Sequence, residues 1–410
     1  MRFDNEMKFI LPTIVFAQFC CTSLWFAGNG VMSNLLQTYG LSLLALGHLT
    51  SAVQIGFIAG TLLFAFLSLA DRFPPSKVFF ICALFGAVFN LGVILDNNNL
   101  SSLLLWRFLT GFSLAGIYPV GMKIAADYYQ KDLGRSLGFL VGALVLGTAF
   151  PHLLKNFTGA ENLPWKMVII ITSLMATLGG FLILLAVPEG PFRKPQTGKD
   201  FFRFIKVFKN REFRAAAFGY FGHMWELYAF WAFVPVVLSS YNLLHPGTDL
   251  NVPLNSFLII GLGGFACAAG GYLSLKWGAK KLATASLFLS GCCCVISPLV
   301  FLQDSEIFLL CFLIFWGLMV VADSPLFSTL VSENAFAESR GTALTIVNSI
   351  GFAITILSIQ LVTFLITLFN PFFVLTVLAI GPALGLYSLY FVPGSKIKDE
   401  SEKPEIFQKK

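Results

Sequence analysis

Apolar residues run along this chain in blocks of about twenty to twenty-five, with polar residues gathered in short stretches between them. A helix crossing the hydrocarbon core of a bilayer needs roughly 20 mainly apolar residues, so each block predicts one crossing. Twelve spans are predicted, near 9–33, 44–69, 77–95, 101–125, 135–155 and 166–187, then 213–239, 255–276, 281–302, 306–329, 341–366 and 370–392. The longest polar stretch follows the sixth. The chain thus divides into an N-terminal six-helix bundle (1–187), a linker (188–212), a C-terminal six-helix bundle (213–392) and a charged tail (393–410) expected to be disordered. The first apolar block is too long for the core of a cleavable signal peptide and reads as a retained span. In the linker, Phe201, Phe202, Phe204, Ile205, Val207 and Phe208 alternate with Arg203, Lys206 and Lys209. That pattern suits a helix lying on anionic lipid, and equally a partly ordered basic loop.

Composition narrows the class. Of 410 residues, 57% are hydrophobic and 12% charged, against roughly 25% charged in an ordinary globular domain, and the mean hydropathy is +0.79. A soluble enzyme, a nucleic-acid binder and a disordered scaffold are excluded, leaving an all-α integral membrane protein. With both termini on the cytoplasmic side, 24 of the 27 basic residues fall inside, the bias that sets orientation. The exceptions are Lys155 and Lys166 outside, and Arg107 within a helix. The eight cysteines all lie in apolar stretches, where free cysteine behaves as a small hydrophobe. The run Cys292–Cys294 does not predict a metal site, because adjacent helical residues point about 100° apart.

The two halves repeat. A constant offset of 206 aligns Trp25 with Trp231, Leu67-Ser68-Leu69 with Leu273-Ser274-Leu275, Gly111 with Gly317, Pro119 with Pro325 and Asp127 with Glu333. Parallel six-helix repeats are a transporter architecture, with the site near the midplane between them.

Leu69-Ala70-Asp71-Arg72 between spans 2 and 3 resembles the core of the major facilitator superfamily's loop signature, Gly-x-Leu-Ala-Asp-Arg-x-Gly-Arg-Lys. Leu67 and Pro74 replace its glycines, and Ser76-Lys77 is a reduced basic end. Arg107-Phe108-Leu109-Thr110-Gly111 matches the Arg-x-x-x-Gly of the family's fourth helix. Gly142 through Pro151 resembles only loosely the fifth-helix motif of drug/proton antiporters. The resemblance covers essentially the whole chain. It implies twelve transmembrane helices in two bundles with pseudo-two-fold symmetry, a proton-coupling role for Arg107, and an Asp71 that contacts neighbouring helix ends, with the start of span 11 as candidate, and stabilises one open state.

Charges inside a bilayer cost roughly 2.5–3.5 kcal/mol each on insertion scales and mark function. Three lie well within spans: Arg107, Glu226 and Asp323. His223 stands three residues before Glu226, on one helix face, and this pair could bind and release a proton or simply join helices. Asp323 precedes Ser324-Pro325, where a proline frees a backbone carbonyl, so it is either a coupling acid or a cap. Arg107 could grip an anion with two parallel bonds or form a structural ion pair. If Arg107, Glu226 and Asp323 share a cavity, its formal charge swings from −1 to +1 as both acids take up protons, which would favour an anionic substrate. Trp25, Asn29, Gln54, Trp225, Tyr228 and Asn348 are further candidates for binding substrate. Asp71, Arg72, Arg135 and Arg340, at inner helix ends, are candidates for a conformational gate. His152 is expected to be interfacial.

No Asp-x-x-x-Asp, His-Glu-x-x-His, Gly-x-Ser-x-Gly or Walker A pattern occurs in the sequence, so neither an intramembrane enzyme nor direct use of ATP is expected. The expectation is a secondary active transporter of a small polar or anionic solute, working by alternating access, with its cavity between spans 1, 4, 7 and 10. The energy source is a proton gradient rather than a cofactor, and symport is the first mode. Proton-coupled efflux and an uncoupled facilitator are the alternatives. The expected partners are membrane lipid and the small-molecule substrate, with no nucleic acid. A monomer in a bacterial inner membrane completes the reading.

Overall fold

The computed structural model describes residues 2–129, 133–160, 164–193, 207–335 and 340–391. Among the described residues eleven helices are long and apolar enough to cross a membrane: span 2 (Leu44–Leu67), span 3 (Pro75–Ile94), span 4 (Leu100–Tyr128), span 5 (Arg135–Thr158), span 6 (Lys166–Ala186), span 7 (Arg211–Leu244), span 8 (Val252–Trp277), span 9 (Ala279–Phe301), span 10 (Glu306–Glu333), span 11 (Gly341–Leu368) and span 12 (Pro371–Tyr390). Span 1 differs from its prediction as one continuous helix. It is broken into Arg2–Thr22, Ala27–Gly30 and Met32–Thr38, and only together do these pieces cross. The predicted interfacial helix of the linker and the tail 393–410 fall outside the described residues, save that Val207 is buried and Phe208 meets Phe213 edge-on, ring centroids 5.0 Å apart.

Helix ends follow local chemistry. Asn99, Asn251, Ser305 and Asn370 cap the starts of spans 4, 8, 10 and 12 with side-chain oxygens that accept from backbone N–H groups, which a helix start otherwise leaves unpaired. Ser68 closes span 2 in the left-handed conformation (φ 52°), turning the chain into Leu69–Arg72.

The two halves pack alike. In the first, span 1 packs on spans 5 and 6, span 2 on span 4, and span 3 on spans 4 and 6; in the second, span 7 packs on 11 and 12, span 8 on 10, and span 9 on 10 and 12. The correspondence reaches single atoms. A Cβ at Gly111 would lie 2.0 Å from the Val53 carbonyl oxygen, and one at Gly317 would lie 2.1 Å from that of Ile259; both pairs are related by the offset of 206. Spans 4 and 10 also break at equivalent places, Pro119 and Pro325 sitting in the first turn of each second piece.

Two seams join the halves, span 2 against span 11 and span 5 against span 8. Gly142 and Gly264 face each other across the second, and a Cβ on either would lie within 2.8 Å of the other's carbonyl oxygen. Asn251 donates to Asn156 Oδ1 at 2.7 Å and Gln360 to Ser51 Oγ at 2.9 Å, tying both seams on the face opposite the start of span 1.

Overpacking a helix crossing costs about 1–3 kcal/mol. Gly111→Val and Gly317→Val should each lower the melting temperature of the detergent-purified protein, whereas Gly341→Ala, with nothing within 4 Å of its Cβ, should leave it unchanged.

Candidate functional site

The break in span 1 organises the first half. Residues 23–26 form a turn instead of helix, which frees backbone carbonyls at membrane depth. Arg107, buried in span 4, donates through Nη1 to Leu24 O at 3.2 Å and through Nη2 to Trp25 O. Nη1 also donates to Asn90 Oδ1 at 3.3 Å, and Asn90 in turn donates to Ser173 Oγ at 3.0 Å, linking spans 3 and 6. Gly28 leaves room for the guanidinium, since a Cβ there would lie 3.3 Å from Nε. The condition that Arg107, Glu226 and Asp323 share one cavity is not met here: the planar fork of Arg107 is turned onto the broken backbone of its own half.

The turn places Trp25 at the centre of the molecule. Its indole stacks on Phe352 of span 11 (5.5 Å, 24°) and approaches Phe57 of span 2 (4.8 Å) and Tyr228 of span 7 (5.9 Å). Tyr228 packs against Trp231 at 5.2 Å. Trp25 Nε1 donates to Gln54 Oε1 at 3.2 Å, and Asn29 donates to Thr50 Oγ1 at 2.8 Å, so both amides lie within the first half's packing. Against this cage lies a cavity of about 20 Å³ walled by Tyr118, Tyr220, Tyr228, Trp231, Ser324 and Phe352 with aliphatic neighbours. No Lys, Arg, His, Asp or Glu lines it. Its volume holds about one water. Asn348 sits one turn from Phe352 on the same face of span 11 and is half-buried.

The acids stand in the second half. His223 Nδ1 lies 2.8 Å from Asp323 Oδ1 with both side chains fully buried. Beyond this pairing, neither imidazole nitrogen has a hydrogen-bond partner. Asp323 occupies the junction between Glu306–Ala322 and Ser324–Glu333, between the cavity-lining Val321 and Ser324. Glu226 is held differently. Its Oε1 accepts from Trp316 Nε1 at 2.6 Å and Cys294 Sγ at 3.3 Å, and its Oε2 from Ser290 Oγ at 2.9 Å. The carboxylate thus ties spans 7, 9 and 10 together. His223 and Glu226 share a helix face, as their spacing requires, yet have separate partners.

At the face where span 1 begins, Asp71 pairs with Lys123 of span 4 at 3.0 Å, and Lys123 lies 3.9 Å from Asp127. Arg193, just past span 6, donates to the carbonyls of Asp71 and Phe73 and pairs with Glu189 at 2.6 Å. Arg72 is exposed, and Arg135 stands over the Phe139 ring at 5.8 Å. The side chain of Arg340 lies outside the described residues.

Two further expectations are corrected. Trp225 does not line the central cavity and donates to Val377 O of span 12 at 3.3 Å, because its indole is taken up by the contact between spans 7 and 12. His152 is buried, not interfacial, and its Nε2 has no partner. The sequence reading missed Tyr118, Phe352, Ser290, Cys294 and Trp316; only Tyr118 carried a signal, standing beside the repeated Pro119. Among the described residues no group of three or more His, Cys, Asp or Glu is gathered for a metal ion. A hydrogen bond to a charged group contributes about 1.5–3 kcal/mol. Arg107→Leu should therefore lower the melting temperature of the ligand-free protein sharply, and Arg107→Lys should recover only part of the loss.

The Major Facilitator Superfamily model matches residues 14–359. The 4-hydroxybenzoate transporter PcaK of Pseudomonas aeruginosa is 27% identical over 158 residues, covering 38% of this chain and 34% of that protein. The niacin transporter NiaP of Acinetobacter baylyi is 26% identical over 202 residues, covering 44% and 43%. The matched segments thus span about a third to two-fifths of these relatives' length. Among solved structures, the proton:xylose symporter XylE superposes with a TM-score of 0.72 at 14% identity, covering 96% of this chain and 97% of that one, a likeness of fold. With the family model matching across both halves and the same helix pairing repeated in each, this multi-pass membrane protein belongs to the Major Facilitator Superfamily of solute transporters.

Proposed function

We propose that the chain carries a small aromatic carboxylic acid across the membrane together with a proton, by alternating access. The observation that carries this reading is the central cavity, with aromatic rings from both halves, no base in its wall, and the buried His223–Asp323 pair directly behind span 10's contribution. Flat rings offer offset-stacked or edge-to-face contacts to a flat solute. Similarity to transporters of 4-hydroxybenzoate and niacin, both aromatic acids, supports the same substrate class.

Charge supplies the coupling. A carboxylate moved into a low-dielectric cavity without a cation pays a desolvation penalty of several kcal/mol. With Asp323 ionised and His223 neutral, the pair behind the wall carries −1 and repels that anion; one proton makes the pair neutral, and a second makes it positive. Loading with an anion is thus favoured by protonation and opposed by its loss. In this reading His223 and Asp323 carry the proton, Glu226 holds the helices between which they act, and Arg107 supports the broken span. In the same reading both termini lie in the cytoplasm, which the distribution of basic residues supports, and the transporter works in a bacterial inner membrane as an importer.

Proteoliposomes given an acidic exterior should concentrate labelled 4-hydroxybenzoate or nicotinate, and a protonophore should abolish the accumulation. Asp323→Asn should lose concentrative uptake while keeping exchange of internal for external substrate, and its affinity should no longer rise with acidity. A base-free aromatic cage also suits a lipophilic cation through cation–π contact. Thermal stabilisation by such cations, greater at neutral than at acidic pH, together with indifference to aromatic acids, would replace the uptake reading with efflux.

Glu226→Gln should act mainly on stability. It sets an amide NH2 among Trp316 Nε1, Ser290 Oγ and Cys294 Sγ, three groups that now donate to the carboxylate. The melting temperature should fall by an amount corresponding to about 1–3 kcal/mol, the usual consequence of leaving a buried polar group unpaired.

A further inference from the structure

Resting on the aromatic-acid reading, we infer that Trp231 is the residue that selects for the acid group, its indole N–H holding the carboxylate in place of a basic side chain. Trp231 is fully buried and lines the central cavity, yet its Nε1 has no hydrogen-bond partner. An indole nitrogen can only donate, and buried donors are otherwise almost always paired. The other tryptophans of this centre show the contrast. Trp25, its repeat-related counterpart, donates to Gln54 Oε1, and Trp316 donates to Glu226. The group best able to meet the open donor is an acceptor on a solute within the cage.

Gln54, the acceptor that Trp25 uses, also carries an open donor, outside the cavity wall. Because Trp25 Nε1 can only donate, the atom of Gln54 that meets it must be the amide oxygen, which leaves the fully buried Nε2 as a donor without a partner. The open donor of Trp231 in an aromatic wall, with no basic side chain in that wall, favours a solute with a flat apolar ring and an acceptor-only end. A carboxylate is such an end. An ammonium group, which only donates, would find no acceptor at Trp231.

The test is Trp231→Phe, which keeps a buried aromatic ring and removes the N–H, read by binding of 4-hydroxybenzoate and of 4-cresol, the same ring with a methyl group for the carboxylate. Affinity for the acid should fall about ten-fold or more, as for loss of one hydrogen bond to a charged acceptor, while affinity for the cresol stays the same. Unchanged acid affinity in Trp231→Phe, or equal losses for acid and cresol, would overturn the proposal. Trp231→Phe also removes buried ring volume, which lowers the melting temperature whatever the N–H does, so the ligand-free melting temperature serves as the folding control and the acid-to-cresol affinity ratio is the quantity read. If the wild type itself binds 4-hydroxybenzoate no better than 4-cresol, the uptake reading fails and this proposal with it; if the wild type prefers the acid and Trp231→Phe keeps that preference, only this proposal fails.

Discussion

Inside a bilayer there is no water to satisfy a backbone group, so every carbonyl freed from a helix must find a partner within the protein. Span 1 leaves its helix at residues 23–26, and the guanidinium of Arg107 takes up the carbonyls of Leu24 and Trp25. Much of the centre depends on this contact. The turn carries Trp25 across to Phe352 and Tyr228 of the other half, and it lets the aromatic cage form where the halves meet. It also commits the one permanent cation found well within a span, so the cavity is left without a base.

The halves are alike in packing and unlike in chemistry. Gly111 and Gly317 bring corresponding helices into the same backbone contact, and the helix pairing is the same in both. By the offset of 206, however, Asp323 corresponds to Ile117, His223 to Ala17 and Glu226 to Cys20, while Arg107 corresponds to Leu313. The first half holds the buried cation on a broken backbone, and the second holds the buried acids. A shared scaffold with charges divided in this way would allow one half to respond to protons while the other keeps its shape.

Within the second half, hydrogen bonding distinguishes two acids that the sequence made look equivalent. Glu226 has a donor for each oxygen, whereas Asp323 is paired with the imidazole of His223. Asp323 also sits at a helix junction, where backbone can move without breaking a continuous ladder.

The sequence by itself determined the twelve crossings, the two halves, their repeat and the family. Each follows from the length and order of apolar blocks, and membrane depth is a one-dimensional property that hydropathy reads directly. What it did not determine was rotation. In a soluble helix the polar face marks solvent, but a span surrounded by lipid on one side and apolar helices on the other is hydrophobic all round, so Trp225 and Trp231 look equally able to face the cavity. Only packing turned Trp225 toward Val377 and Trp231 inward. The same limit hid the direction of Arg107, the partners of Glu226, and the meeting of His223 with Asp323 a hundred residues along the chain. Those contacts depend on angles between helices that no local pattern encodes, and the tertiary structure alone decided them.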